Sequence, residues 1–203
     1  MDQNLPLRRL LLSGGIAVLL GGCLMTGDAE APSGQPGFYR SMTGAGAKLD
    51  TGSAQSMISG YRRNNGLSAV VLEPKLMRLA EEQARAMAAR DKMDHNVSGP
   101  FQGRVDASGY RAKVAVENIG AGYHTLAEAF SGWRDSPSHR KNMLVGGATH
   151  MGIAAVQAPS SKYKVFWALV LASEDDRRAS NGYAFGGNLR PVSADEAKPG
   201  RSR

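Results

Sequence analysis

The sequence predicts an α+β domain in which helices come before the strands of an antiparallel pair, and two stretches carry that reading. Residues 74–90 open with Pro74, which suits a first helical turn, and set Leu76, Leu79, Ala80, Gln83, Ala84, Met87 and Ala88 on one largely apolar stripe. Residues 151–156 and 163–172 are rich in β-branched and aromatic side chains and flank Gln157-Ala158-Pro159-Ser160-Ser161-Lys162, so they read as antiparallel neighbours. Helices followed by strands favour a layered α+β domain over a parallel-sheet enzyme.

The remaining elements follow in chain order. Residues 53–63 fit a short helix whose Met57, Ile58 and Tyr61 share a face, and Asn64-Asn65-Gly66 ends it with residues that tolerate a left-handed backbone. Residues 67–72 read as extended or irregular. A further short helix covers 101–107 and stops at Gly109, and residues 114–119 form a short strand that leads into a flexible turn, Gly120-Ala121-Gly122. That turn lacks the strand, glycine loop and helix context, with Lys or Ser/Thr, of a phosphate loop. Thr125-Leu126-Ala127-Glu128 has the form of a capping box, after which Leu126, Phe130 and Trp133 face the core.

At 203 residues the chain holds one domain plus additional segments. Its 42% apolar and 21% charged content excludes wholesale disorder and a multi-span membrane protein. The single cysteine, Cys23, excludes an intramolecular disulfide and a cysteine-based zinc site, leaving imidazole and carboxylate as the strong metal ligands. Residues 1–22 read as a signal peptide: Arg8 and Arg9 precede an apolar run over 10–20, too short to span a bilayer, which needs about 20 residues. The run ends in Leu20-Gly21-Gly22-Cys23, which looks like a bacterial lipobox, and the expectation is a membrane partner reached through lipidated Cys23. Leu24 stands where an Asp would suggest inner-membrane retention, so in a Gram-negative host the expected location is the outer membrane, facing the periplasm.

Residues 23–52 read as the lipidated cysteine and a flexible Gly/Ala/Ser/Thr/Pro tether, and residues 174–203 as a polar tail that is disordered or loosely docked. The domain is left as residues 53–173, with 15 Lys and Arg against 9 Asp and Glu, a net +6. Such a charge either keeps the domain soluble or suits an anionic envelope partner: a lipid headgroup, peptidoglycan or another anionic polymer. Nucleic acid is not expected, since aromatics are 6% and do not interleave with basic residues.

Three groups stand out for chemistry: His95 after the second helix, Glu117 in Val116-Glu117-Asn118-Ile119, and His139 in Ser136-Pro137-Ser138-His139-Arg140-Lys141-Asn142-Met143-Leu144. The order of these segments, with Trp133 opening the Trp-x-x-Ser-Pro-x-His-Arg-x-Asn-x-Leu stretch and Gly152-Ile153-Ala154 following, resembles the bacterial branch of the CAP superfamily. That superfamily is also called the SCP, or cysteine-rich secretory, antigen 5 and pathogenesis-related 1, family. The resemblance covers about residues 53–172. It implies an α-β-α sandwich with a small antiparallel sheet between helices, and a cleft in which two histidines and acidic residues face one another.

By that resemblance His95 and His139 match the two histidines, which in the family can hold a divalent ion such as zinc, and Glu117 matches the first acidic residue. Ser136 stands where many eukaryotic members carry the second acidic residue, three positions after Trp133, so the constellation is incomplete. Glu128 is a substitute that its capping box makes structural. Asp135 is another candidate, or a partner for the Ser136-Pro137 turn. The family's disulfides are absent.

Two neutral imidazoles and a carboxylate would make a three-ligand zinc site with a fourth position open to water. The 22-residue spacings from His95 to Glu117 and from Glu117 to His139 are not a local ligand motif, however. The other readings are a helix-end cap for His95 and a backbone contact for His139. Ser136 and Ser138 lack the geometry of a nucleophile facing a base. Arg140 and Asn142 are expected to bond backbone, Met143 and Leu144 to pack, and His124 and His150 to lie on the surface or in loops. Two function classes therefore stand: a noncatalytic envelope-anchored binding module, with or without a metal, and a divalent-metal-dependent hydrolase of an envelope polymer or peptide.

Overall fold

The computed structural model describes residues 34–175. The expected signal peptide, Cys23 and the residues past Asp175 lie outside the described residues. Helix α1 spans Thr51–Asn64, β1 Val71–Leu72, α2 Pro74–Arg90, α3 Phe101–Ala107, β2 Ala112–Ala121, α4 Leu126–Asp135, α5 Pro137–Met143, β3 His150–Ala158 and β4 Lys164–Glu174.

Local chemistry sets the helix starts. The Asp50 carboxylate accepts from the Ser53 amide at 2.9 Å and its hydroxyl at 2.8 Å, and these bonds hold the Asp50 carboxyl below the usual carboxylate range. Glu73 caps α2 by accepting from Leu76 N at 2.7 Å, with Pro74 in the first turn. The expected capping box opens α4, with Thr125 and Glu128 satisfying each other's backbone amides.

The sheet order is β1-β3-β4-β2. Strand β4 runs antiparallel to both neighbours, with Met151 opposite Leu171 and Glu117 opposite Val170. One departure from an all-antiparallel sheet is β1, which pairs parallel to β3 through Val71–His150 and Leu72–Met151. It enters from α1 rather than through a hairpin, so no tight turn imposes an antiparallel direction. The period of two along β4 sends Val165, Trp167, Leu169 and Leu171 into a core with Ile58, Leu126, Trp133 and Met143. Phe166, Ala168, Val170 and Ala172 pack on the opposite side against Leu76, Leu79, Ala80 and Met87. A central strand buried on both faces reads as one unbroken apolar run, and the result is the expected sandwich of helices around a small sheet.

Two boundaries move. Residues 37–50 do not behave as tether: Met42 is 2% exposed, its amide donates to His124 O at 2.7 Å, and Gln157 Nε2 donates to Gly44 O at 2.7 Å. Phe38, Ala47 and Leu49 pack beside it, so a few spaced apolar residues anchor a segment whose average composition is that of a linker. Strand β2 also runs past the expected 114–119, because Gly120 and Ala121 continue the ladder opposite Trp167 and Phe166; only Gly122 turns, at φ 87°.

Helix α2 lies so close to β3 that a Cβ on Gly152 would sit 2.0 Å from Leu76 O and 2.5 Å from Met77 N. Gly152→Ala is therefore expected to lose about 3 kcal/mol, the upper end for overpacking, because helix backbone rather than a mobile side chain must yield. Urea unfolding checks this, and a variant as stable as the parent would show that α2 lifts from the sheet without cost.

Candidate functional site

The site is built at β2, an edge strand whose successive side chains point to opposite faces. Glu117, 5% exposed, shares the face of Val170 and so points to the α2 and α3 side, while Asn118, 1% exposed, points to the α4 and α5 side. Each anchors one half of the cleft.

On the first side, Arg104 of α3 sends Nη2 to both Glu117 oxygens at 2.9 Å, and His95 Nδ1 lies 2.9 Å from Glu117 Oε1. A carboxylate only accepts, so Nδ1 carries a proton, and in the neutral ring the lone pair of His95 then falls on Nε2, on a side chain that is 47% exposed. The loop that holds His95 is fastened by buried polar groups. Gln83 Nε2 donates to Asp94 O at 2.9 Å while its Oε1 accepts from Ser98 Oγ at 3.0 Å. Arg104 adds bonds to His95 O at 3.0 Å and Gly99 O at 3.2 Å, and Arg90 Nη1 reaches Val97 O at 2.6 Å. His95 therefore faces Glu117 and does not cap α2, whose end is taken by Asp91 in a left-handed conformation.

On the second side, Asn118 Nδ2 donates to His139 O at 2.9 Å, and Asn142 Nδ2 donates to Glu117 O and Asn118 Oδ1, both at 3.0 Å. These bonds staple α5, which carries His139, to β2. Burial, and secondarily the charge that His95 carries when it is protonated, hold the His139 imidazole below the ordinary histidine value, which puts both rings in one electrostatic neighbourhood.

A pH prediction follows. With its folded value depressed, His139 binds a proton less readily than in the unfolded chain, so stability falls as pH drops through the ordinary histidine value and levels off below the folded one. Ring-proton NMR on metal-free protein should place the His139 midpoint below that ordinary value, with a partial rise in His95→Asn. A midpoint at or above it counts against the cleft environment described.

The other candidates are not drawn in. Ser136 precedes α5, and its hydroxyl meets Ser138 Oγ at 3.3 Å rather than the cleft groups. Asp135 pairs with Arg134 at 2.8 Å on the surface, which lowers its carboxyl below the usual range. Glu128 is spent on the backbone of His124 and Thr125. His150 departs from the loop reading: it opens β3, and Tyr110 Oη meets its Nδ1 at 2.8 Å with the rings edge-on.

The three-ligand set His95, Glu117 and His139 is also revised. Both Glu117 oxygens are taken by Arg104 and one by His95, and among the described residues no three His, Cys, Asp or Glu side chains are grouped to hold a metal. Glu117 thus stands behind His95 as the carboxylate that orients its ring, the usual arrangement of an outer-sphere partner rather than of a ligand. Gln83 and Arg104 were not singled out by their sequence; the signal for Gln83 was an amide in an otherwise apolar helix stripe, which obliges a buried partner.

A profile of the CAP (cysteine-rich secretory protein) family matches residues 55–171. The chain belongs to the CAP family. Among curated relatives it is 30% identical over 124 residues to the uncharacterized protein YkwD of Bacillus subtilis, a match covering 54% of this chain and 48% of YkwD, so the shared part is about half of that relative. Among solved structures, this CAP domain is similar to an outer surface protein from Borrelia burgdorferi, with TM-score 0.56, 17% identity and coverage of 63% of this chain and 95% of that one. It is also similar to an SCP-domain extracellular protein from Bacillus anthracis, with TM-score 0.53, 20% identity and coverage of 61% and 40%. At these identities the structural matches establish the CAP fold.

Proposed function

We propose that this CAP chain is an envelope-anchored, noncatalytic binding module whose ligand is met by His95 and His139. The observation that carries this reading is the state of Glu117: its side chain is 2% exposed and held by Arg104 and His95, so it positions a histidine instead of serving as a base toward a substrate. Ser136 and Ser138 meet each other and no histidine, which supports the same reading. Zinc or another divalent cation, if bound, would be held by His95 and His139 and would supply a positive contact for an anionic envelope ligand, lipid or peptidoglycan. Anchoring is supported by Arg8-Arg9, the apolar run over 10–20 and the lone cysteine after Leu20-Gly21-Gly22.

The test is a zinc titration by calorimetry on the metal-stripped full chain, alongside His95→Ala and His139→Ala. One-to-one binding weakened by about tenfold or more in each variant is expected, with no turnover of peptide or peptidoglycan substrates in its presence. Zinc-dependent hydrolysis abolished by Glu117→Gln would overturn the noncatalytic reading in favour of a metal hydrolase. Incorporation of labelled palmitate in a bacterial host, lost in Cys23→Ser, tests the anchor.

A further inference from the structure

Helices α2 and α3 enclose a groove of about 370 Å³ lined by Lys75, Arg78, Leu79, Glu82, Ser98 and Arg104, among others. Lys75, Arg78, Leu79 and Glu82 stand at positions i, i+3, i+4 and i+7, so they share one face of α2. Lys75 Nζ is fixed at the rim by Gly109 O at 2.8 Å, which leaves two of its three protons for another acceptor. Arg78 is exposed and has no acceptor among the described residues. Glu82 is the one acid of the lining set, so the groove carries an excess of positive charge even with Arg104 neutralised by Glu117.

Arg104 is the second observation. Its side chain is only 9% exposed, and Nε and Nη2 are spent on Gly99, His95 and Glu117. Nη1 is buried and has no hydrogen-bond partner among the described residues, and the Phe101 ring covers the guanidinium at 5.3 Å from its centroid. A buried charged donor without an acceptor is costly, and an acceptor that comes with negative charge relieves that cost most.

We propose that this groove binds a small oxyanion, a phosphate or carboxylate group, with Lys75 and Arg78 as its contacts at the mouth and Nη1 of Arg104, which is covered in this structure, as a donor that the ligand uncovers on binding. The guanidinium then has two anionic partners, Glu117 on the cleft side and the ligand on the groove side. The site uses neither histidine side chain but shares Arg104 with the His95–Glu117 pair.

The test is a pair of NMR titrations of the full chain, one with inorganic phosphate and one with acetate, at constant ionic strength set by chloride, following the amides of residues 98–108 and the Arg104 Nε–H signal. Saturable shifts with at least one anion are expected, and the tighter of the two identifies the source group. Arg78→Gln should weaken binding about tenfold, the equivalent of one charge-assisted hydrogen bond, and Glu82→Gln should tighten it. Both positions are exposed on α2, so neither change threatens the fold. Shifts that fail to saturate with either anion, or that are the same in both variants as in the parent, would overturn the proposal.

Discussion

Arg62→Met is expected to destabilise the domain by about 3–5 kcal/mol, the cost of stripping a buried charged hub from its acceptors. Arg62 is 1% exposed in the last turn of α1. Its Nε donates to Ser68 O at 2.9 Å, Nη1 to Met143 O and Val145 O at 2.9 Å, and Nη2 to Ala148 O at 3.0 Å. Burial lowers its pKa, yet the guanidinium keeps its charge because no other side chain binds a proton so strongly. Methionine fills the channel but leaves four carbonyls without a donor. Arg62→Lys keeps the charge and fares little better, since one ammonium cannot reach acceptors that a planar fork serves from three nitrogens. Urea unfolding of both variants checks this; a lysine variant within about 1 kcal/mol of the parent would show that the charge rather than the fork is what the site needs. Because Met143 ends α5, the same substitution should broaden the His139 resonances.

Arg104→Ala should be of similar size, about 3–5 kcal/mol, because it leaves the buried Glu117 carboxylate with His95 as its remaining side-chain partner. It also removes the bonds to His95 O and Gly99 O, so the loop carrying His95 loosens. Part of the loss is a stranded charge, which Glu117→Gln in the same chain removes. The double variant should then be more stable than Arg104→Ala alone, a coupling read by a double-mutant cycle. Additive losses would mean that the pair does not interact through the carboxylate.

Much of the fold was legible because it is written in periodicity and caps. The stripe on α2, the Thr125–Glu128 box and the β3–β4 hairpin are local patterns, and each forms where the pattern places it. Met42 escaped because a single apolar anchor in a Gly-rich stretch has no period. Glu117, His95 and His139 were legible as candidates, but their roles were not. Whether a carboxylate faces a ligand or an arginine depends on α3 laying Arg104 against β2, a contact 13 residues apart that no spacing encodes. Arg62 and Gln83 were hidden for the same reason: their burial is decided by carbonyls brought from distant loops.

The bonds that staple α5 to β2 have an effect on association. Strand β2 is a sheet edge, and an edge with open carbonyls invites a second chain to extend the ladder. Here Asn142 Nδ2 takes Glu117 O, and Trp133 Nε1 takes Ile119 O, both at 3.0 Å, so side chains from the two following helices occupy two of the acceptors in the middle of the strand. The stretch that positions the site is thereby also guarded against edge-to-edge aggregation.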